Sequence, residues 1–392
     1  VFSPIRFEGQ GCRDQAPGAL GAGGGGEARM SAKNPVPWPI EPHTVAKHAL
    51  YRQYFSKWFP IMANGWNGNV TYAEGFAGPG IYTGGEPGSP VIALRTIFDN
   101  PETWNKNMRL LFVDHDKRCT DLLPKQLENA AGMRLGEIGT YGIDLEIREG
   151  SCVPVLEQLL DEHHAWGRPM LVVLDTWGGA VPFDLVHRIA GNRGGEVLIT
   201  MQPQFFSRFA ENEENPHGDA VFGDTGWRAV HQQPSGQKAG WLLRRYRDTI
   251  RKAGFGYVLD FELVDRRGQS LFLVFGTDHP KGLKKMKEAM WEVDDVSGIG
   301  YRDPRDPGQQ TLAIVLEPNI EPLKRLLLLE LRKQEPDYVS VLDLRRFALY
   351  RTVFKESQVI PALDSLIDKR LVETSEPARR KTISAVRIRQ PS

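Results

Sequence analysis

Between residues 70 and 201 short apolar runs alternate with stretches of helical periodicity, and this alternation constrains the fold more than any other feature of the chain. Residues 70–73 read as a buried strand, followed by a Gly-rich loop and a helix near 89–98. Residues 109–113, 145–148, 170–174 and 196–201 are further strand candidates, with helices over 153–162 and from Phe183 between them. Strands alternating with helices predict an α/β fold, a parallel sheet covered by helices on both faces. The pattern then changes. Residues 257–264 and 270–275 are β-rich and are joined by Asp265-Arg266-Arg267-Gly268, a good hairpin loop, so the sheet is expected to end in an antiparallel pair. A helix over 281–291 follows. Upstream, a Pro-rich entry at Trp38–Pro42 leads into a helix over about 43–59, where Val45, Leu50, Tyr54, Phe55 and Trp58 recur at helical spacing.

The last part of the chain differs. Helices are expected over 323–333, 341–350 and 356–370, and two short strands, 371–374 and 382–388, flank a polar tip at 376–381. Helices followed by a basic hairpin are the layout of a winged helix-turn-helix. Its residues 341–392 hold 11 Lys+Arg against 6 Asp+Glu, a net of +5, in a chain whose 49 basic and 49 acidic residues cancel. Zero net charge excludes a protein basic over its whole surface but leaves room for one basic end. There, Lys355 and Arg370 on the recognition-type helix and Arg379, Arg380 and Lys381 at the wing tip are the candidate contacts to nucleic-acid phosphates. Docking of a protein is the competing use. Gln358 is expected to face outward, Leu363, Leu366 and Ile367 inward, and Pro361 to kink the helix. The basic stretches 281–287 and 244–252 read as solvated helix faces.

Other classes fall away. The longest apolar runs, 171–174, 271–275 and 326–329, are far shorter than the roughly 18 residues of a membrane span. Cys12, Cys119 and Cys152 form no C-x-x-C pair, which argues against a zinc ribbon or redox motif and suits a reducing cytoplasm. Residues 1–29 contain eight glycines and no apolar periodicity, so Met30 is expected to be the natural start. The expected organisation is an extension over 1–33, an α/β domain over 34–318 and the terminal domain over 319–392.

The strongest local signal is Tyr72-Ala73-Glu74-Gly75-Phe76-Ala77-Gly78-Pro79-Gly80. A phosphate-binding P-loop needs Lys-Ser/Thr after its last glycine, but Ile81-Tyr82 stand there. A dinucleotide site has G-x-G-x-x-G, whereas this spacing is G-x-x-G-x-G. An acid followed by x-x-x-G-x-G is the arrangement of S-adenosylmethionine (SAM) sites. There the Glu74 carboxylate would face the methionine ammonium, and Gly75, Gly78 and Gly80 would admit methionine and ribose. A plain structural turn is an equal competitor. Asp114 ends the second strand, where a carboxylate binds ribose hydroxyls; the alternative is a cap for the helix that follows. Ser151 follows the third strand at the adenine edge, and Asp175 ends the fourth, the default place for handling an acceptor group. Trp177 could stack on that acceptor. His43 and Lys47 stand at i,i+4 on one helix face, able to close over a cofactor carboxylate or a substrate phosphate, or else merely solvated. No metal-ligand cluster or catalytic triad is spelled out.

Longer motifs carry a resemblance. Glu41-Pro42-His43-Thr44-Val45-Ala46-Lys47-His48, the E-G-F-A-G-P-G loop, G-E-P-G-S-P-V-I-A-L at 85–94, Phe222-Gly223-Asp224-Thr225-Gly226-Trp227-Arg228, and Phe275-Gly276-Thr277-Asp278-His279-Pro280-Lys281-Gly282-Leu283 are similar to the three-Cys-motif partner protein (TcmP) family. The resemblance spans about residues 36–390. It implies a Rossmann-like class I SAM-dependent methyltransferase domain with a C-terminal winged helix, in a bacterial cytoplasmic protein found beside a radical-SAM-type three-Cys-motif protein. Two departures stand out: Glu74 replaces the usual Asp, and Asp175-Thr176-Trp177-Gly178 replaces D-P-F-G. Enzymes that methylate exocyclic base amines carry prolines at that place, so the acceptor class stays open.

Overall fold

The computed structural model describes residues 35–66, 68–176, 179–210, 216–302, 318–375 and 383–389. The proposed extension, the wing tip with Arg379, Arg380 and Lys381, and Trp177 lie outside the described residues. Eight strands form one sheet: β1 (Val70–Glu74), β2 (Met108–Asp114), β3 (Ile143–Glu149), β4 (Met170–Leu174), β5 (Gly195–Met201), β6 (Tyr257–Val264), β7 (Ser270–Thr277) and β8 (Gly300–Arg302), in the order β3-β2-β1-β4-β5-β7-β6-β8. β1 to β5 run parallel, β7 is antiparallel to both β5 and β6, and β8 lies parallel to β6. This is the expected Rossmann-like sheet with its terminal hairpin. The sequence did not announce β8, because three residues behind glycines are too short to show alternation.

Burial explains the strand pattern. β1 and β4 are buried along their whole length, as a strand covered on both faces must be. On one face lie the helices Pro42–Gly65, Ser89–Phe98 and Pro280–Val293; on the other lie Cys152–Glu162, Phe183–Ala190 and Lys238–Ala253. The first helix runs on through Pro60 to Gly65, past its expected end, because Tyr51, Tyr54, Phe55, Trp58 and Phe59 fix it to the sheet. Phe55 meets Tyr72 of β1 edge to face at 5.1 Å, and Tyr54 meets Phe275 of β7 at 5.2 Å. The strand order reverses between β1 and β4, so the crevice outside their carboxyl ends is the switch point where such sheets bind ligands.

The terminal part folds as helix Glu321–Arg332, β9 (Val339–Ser340), helix Val341–Arg351, helix Val359–Asp368, β10 (Val372–Thr374) and β11 (Ala385–Ile388), the strands pairing antiparallel in the order β10-β11-β9. Leu327, Leu344, Leu363, Leu366 and Val386 close its core. Two expectations change here. The last helix begins at Val359, after a single 3-10 turn at Glu356–Gln358, so Pro361 stands in its first turn, where no intrahelical N–H bond is lost. Gln358 is buried rather than facing outward.

The 281–287 stretch is not a solvated face throughout. Lys287 is 1% exposed and its ammonium donates to the carbonyls of Ala348, Leu349, Thr352 and Phe354, capping the end of the Val341–Arg351 helix. Burial pulls its pKa down to about 7. One turn on, Trp291 Nε1 donates to the Val353 carbonyl at 3.0 Å and its ring meets Phe354. These contacts fasten the terminal module to the sheet domain. Replacing Lys287 with methionine keeps most of the stem but strands the carbonyls. The expected cost is about 2–3 kcal/mol, read as a lower urea midpoint of the full chain; an unchanged midpoint would show the cap to be idle.

Candidate functional site

The crevice is built from the loops that leave β1, β2, β3 and β4, with the start of the first helix above them. Gly75 donates its N–H to the Val173 carbonyl of β4, and Ala77 donates to the Val113 carbonyl of β2. Gly78 donates to Asp114 Oδ2 at 2.7 Å. The Asp116 N–H donates to Asp114 Oδ1 at 2.9 Å, and the Gly150 N–H donates to the Asp114 carbonyl. The loops after β1, β2 and β3 therefore meet at Asp114. The helix cap weighed against it is supplied by Asp116, whose Oδ1 accepts from the Arg118 N–H. Each Asp114 oxygen accepts one bond and keeps a further lone pair for a ligand hydroxyl. Burial pushes its pKa up, opposed by those N–H donors.

The glycines serve two ends. A Cβ on Gly75 would stand 2.4 Å from Cys152 Sγ, and one on Gly80, at φ +74°, would stand 2.7 Å from Leu123 Cδ1. These two positions are glycine because the protein itself closes on them. At Gly78, at φ +66°, the nearest atoms to such a Cβ belong to the Trp38 ring at 3.9 Å, an ordinary contact, so here the left-handed backbone rather than crowding calls for glycine. The Pro-rich entry thus overhangs the loop: Thr83 donates its N–H to the Trp38 carbonyl, and Trp38 meets Tyr82 edge to face. No sequence pattern pointed to Trp38 in this role.

Glu74 departs from the expectation. It is fully buried; Tyr72 donates its hydroxyl to Oε1 at 2.7 Å and Ser89 donates to Oε2 at 2.6 Å. Burial lifts its pKa to about 8, so near neutral pH it is largely a neutral acid. It ties β1 to the start of the Ser89–Phe98 helix and does not present a countercharge to the crevice. Ser151 is exposed and N-caps the Cys152–Glu162 helix without a side-chain bond.

Asp175 stands just past β4 and is ion-paired with the ammonium of Lys47, with both side chains mostly buried (7% and 15% exposed for Lys47 and Asp175). Lys47 is thus not on a solvated face. His43, one turn earlier, is half-buried. Its pKa is lowered by burial and by Lys47, and its Nδ1 has no hydrogen-bond partner among the described residues. The same holds for two buried groups nearby, His48 Nδ1 and the Tyr51 hydroxyl. Tyr51 is close enough to Asp175 and Glu74 for both charges to raise its pKa, on top of a larger effect of burial. Unpaired polar atoms in a dry wall are costly unless something meets them. The Thr176 carbonyl, beside Asp175, accepts the Thr200 hydroxyl at 2.5 Å, and the Thr176 hydroxyl accepts the Ala180 N–H.

Of the remaining candidates, Arg370 is exposed at the end of its helix, whereas the Lys355 ammonium lies 5.7 Å over the Trp291 ring, at the junction between the two modules. Among the described residues no group of three His, Cys, Asp or Glu could hold a metal ion, and no helix is long and apolar enough to cross a membrane.

No protein-family model matches the chain, and no curated protein does. Among solved structures it is similar to an O-methyltransferase from Bacillus cereus in complex with SAH, at 12% identity over 64% of this chain and 87% of that one, with a TM-score of 0.36. It is similar to the O-methyltransferase TomG from Streptomyces achromogenes in complex with SAM, at 13% identity over 64% and 95%, TM-score 0.33. It is also similar to Trm1 from Pyrococcus horikoshii with S-adenosyl-L-methionine, at 9% identity over 88% and 91%, TM-score 0.33. At such scores the strand order, not the likeness, carries the fold.

Proposed function

We propose that this chain is a SAM-dependent methyltransferase with a winged helix appended, a three-Cys-motif partner protein in the sense of the motifs quoted above. The observation that carries the reading is the Gly78 N–H held by Asp114 at the switch point. It folds the glycine loop of β1 against the acid of β2 and leaves that acid lone pairs for two hydroxyls. Asp114 would take the ribose, Ser151 would border adenine, and the Gly78 backbone beneath Trp38 would border the methionine end. The orphaned Tyr51 and His48 atoms fit a polar ligand of this kind. Gly75 and Gly80 set the loop's path, and Glu74 anchors it. Bound there, SAM supplies an electrophilic methyl group on a sulfonium.

Transfer needs an acceptor atom in line with that methyl and little else. Asp175 would receive a hydrogen bond from the acceptor's N–H or O–H, while Lys47 and His43 would face an anionic part of it. Asp175→Asn is expected to leave SAM affinity within about threefold while methyl incorporation from labelled SAM falls about tenfold or more. Incorporation is read with nucleic-acid, protein and metabolite pools. Equal incorporation by the variant would remove Asp175 from the site.

The helix-strand-helix-helix-strand-strand order with its three-stranded sheet supports the winged-helix reading. Arg370 with Arg379, Arg380 and Lys381 would then be its nucleic-acid contacts. Lys355 is withdrawn from that set by its place over Trp291. A second reading has a specific observation behind it. The Lys47–Asp175 pair and the engaged Thr176 carbonyl leave the acceptor side already paired, which favours a non-catalytic SAM-binding partner that docks DNA or the radical-SAM-type three-Cys-motif protein. SAM binding without incorporation into any pool would favour it.

A further inference from the structure

A second concavity, of about 820 Å³, lies at the opposite end of the sheet from the crevice. The start of β6 and the Lys238–Ala253 helix form one wall, and residues 349–353 of the terminal module form the other. That volume is in the range of small-ligand sites.

Three features define its chemistry. Tyr257 and Tyr350, one from each wall, stack at 5.6 Å with 23° between their planes, and Tyr350 is 40% exposed, so its ring offers a flat π face. Arg351, next along the chain, is exposed and makes no ion pair or hydrogen bond with any described residue. Among the described residues Arg251 is ion-paired with Asp248 of its own helix, a surface pair of little strength, and its charge also reaches Asp260; Arg247, paired with Asp260, keeps a buried Nε with no hydrogen-bond partner among them. The carboxyl end of the Val341–Arg351 helix would ordinarily repel an anion, but Lys287 donates to its last carbonyls and offsets that negative end. The one carboxylate among the described lining residues, Asp260, is already committed to Arg247.

A π face beside an unpaired guanidinium, here Arg351, with a weakly paired second one, Arg251, is how proteins hold a base together with its phosphate. We infer that this cleft binds a nucleotide unit, its base on Tyr350 and its phosphate on Arg351 and Arg251, supplied either as a free mononucleotide or within a single strand. The inference stands apart from methyl transfer: it uses none of the crevice residues.

The test is fluorescence anisotropy of the full chain with a 5′-fluorescein-labelled dT12, in wild type, Tyr350→Ala and Arg351→Glu. Both side chains are exposed, and unchanged melting would confirm folding. Tyr350→Ala is expected to weaken dT12 binding about tenfold, and Arg351→Glu to weaken it and flatten its salt dependence. Displacement of dT12 by adenosine monophosphate would identify the free nucleotide as the source, and failure to displace it the strand. Absence of binding to both probes, or wild-type dT12 affinity in both variants, would overturn the inference. Titrating SAM into the same variants keeps this result separate, because their SAM affinity is expected to be unchanged.

Discussion

Replacing Asp114 with alanine is expected to weaken SAM binding about 30- to 1000-fold, the equivalent of about 2–4 kcal/mol. The size follows from what the carboxylate does. It would accept two ribose hydroxyls, and a hydrogen bond to a charged group contributes about 1.5–3 kcal/mol. It also holds Gly78 and the Asp116 N–H, so its loss slackens the loop as well. Asp114→Asn is the milder test of both effects. The amide keeps one acceptor for Gly78 or Asp116 but sets its NH2 against the other backbone N–H, so the loop loosens in part and ribose binding falls, both less than in the alanine variant. Calorimetric titration of both variants, with their melting temperatures, checks this. A variant that melts like wild type and binds SAM as tightly would remove Asp114 from the cofactor site.

The second large effect is on stability as pH rises. Glu74 and Glu196 are both buried, and burial raises their pKa values to about 8 and about 7. Tyr54 and Thr277 donate to Glu196, as Tyr72 and Ser89 donate to Glu74, and these bonds hold the rise in check. The unfolded chain releases both protons near pH 4.5, whereas the folded chain keeps them. Above that pH the folded state binds more protons, so stability falls as pH rises, and for these groups it is greatest below the unfolded value. From pH 4.5 to 7 the two carboxyls together are expected to remove on the order of 5 kcal/mol. Lys287 acts in the other direction at higher pH: its lowered pKa makes stability rise between about 7 and its unfolded value. Urea unfolding at pH 5, 6 and 7 measures the fall. A Glu74→Gln, Glu196→Gln double variant should flatten it, because a neutral amide has no proton to lose. An equally steep fall in that variant would mean other groups are responsible.

The middle of the sheet was legible because a strand such as β4, the 170–174 run, is buried and apolar on both faces, whereas the edge strand β3 is mostly half-exposed and reads by alternation. The loop after β1 was visible because acid and glycines fall together. The single letters misled where burial is set by distant residues. Glu74 looks like an exposed loop acid, but Tyr72 and Ser89 enclose it, and Ser89 lies 15 residues on. Lys287 sits in a lysine-rich stretch that resembles a solvated face, yet its partners are more than sixty residues away. Tyr51 was hidden inside an aromatic periodicity that reads as core, and most of that helix is core. Pro361 seemed to break a helix only because the start of the helix was placed three residues too early.

The central claim is that the crevice between β1 and β4 binds SAM. The direct measurement is isothermal titration of SAM into the folded full chain. Micromolar binding, about −8 kcal/mol, with one site per chain is the predicted result, and no heat of binding from protein that still melts cooperatively would contradict it.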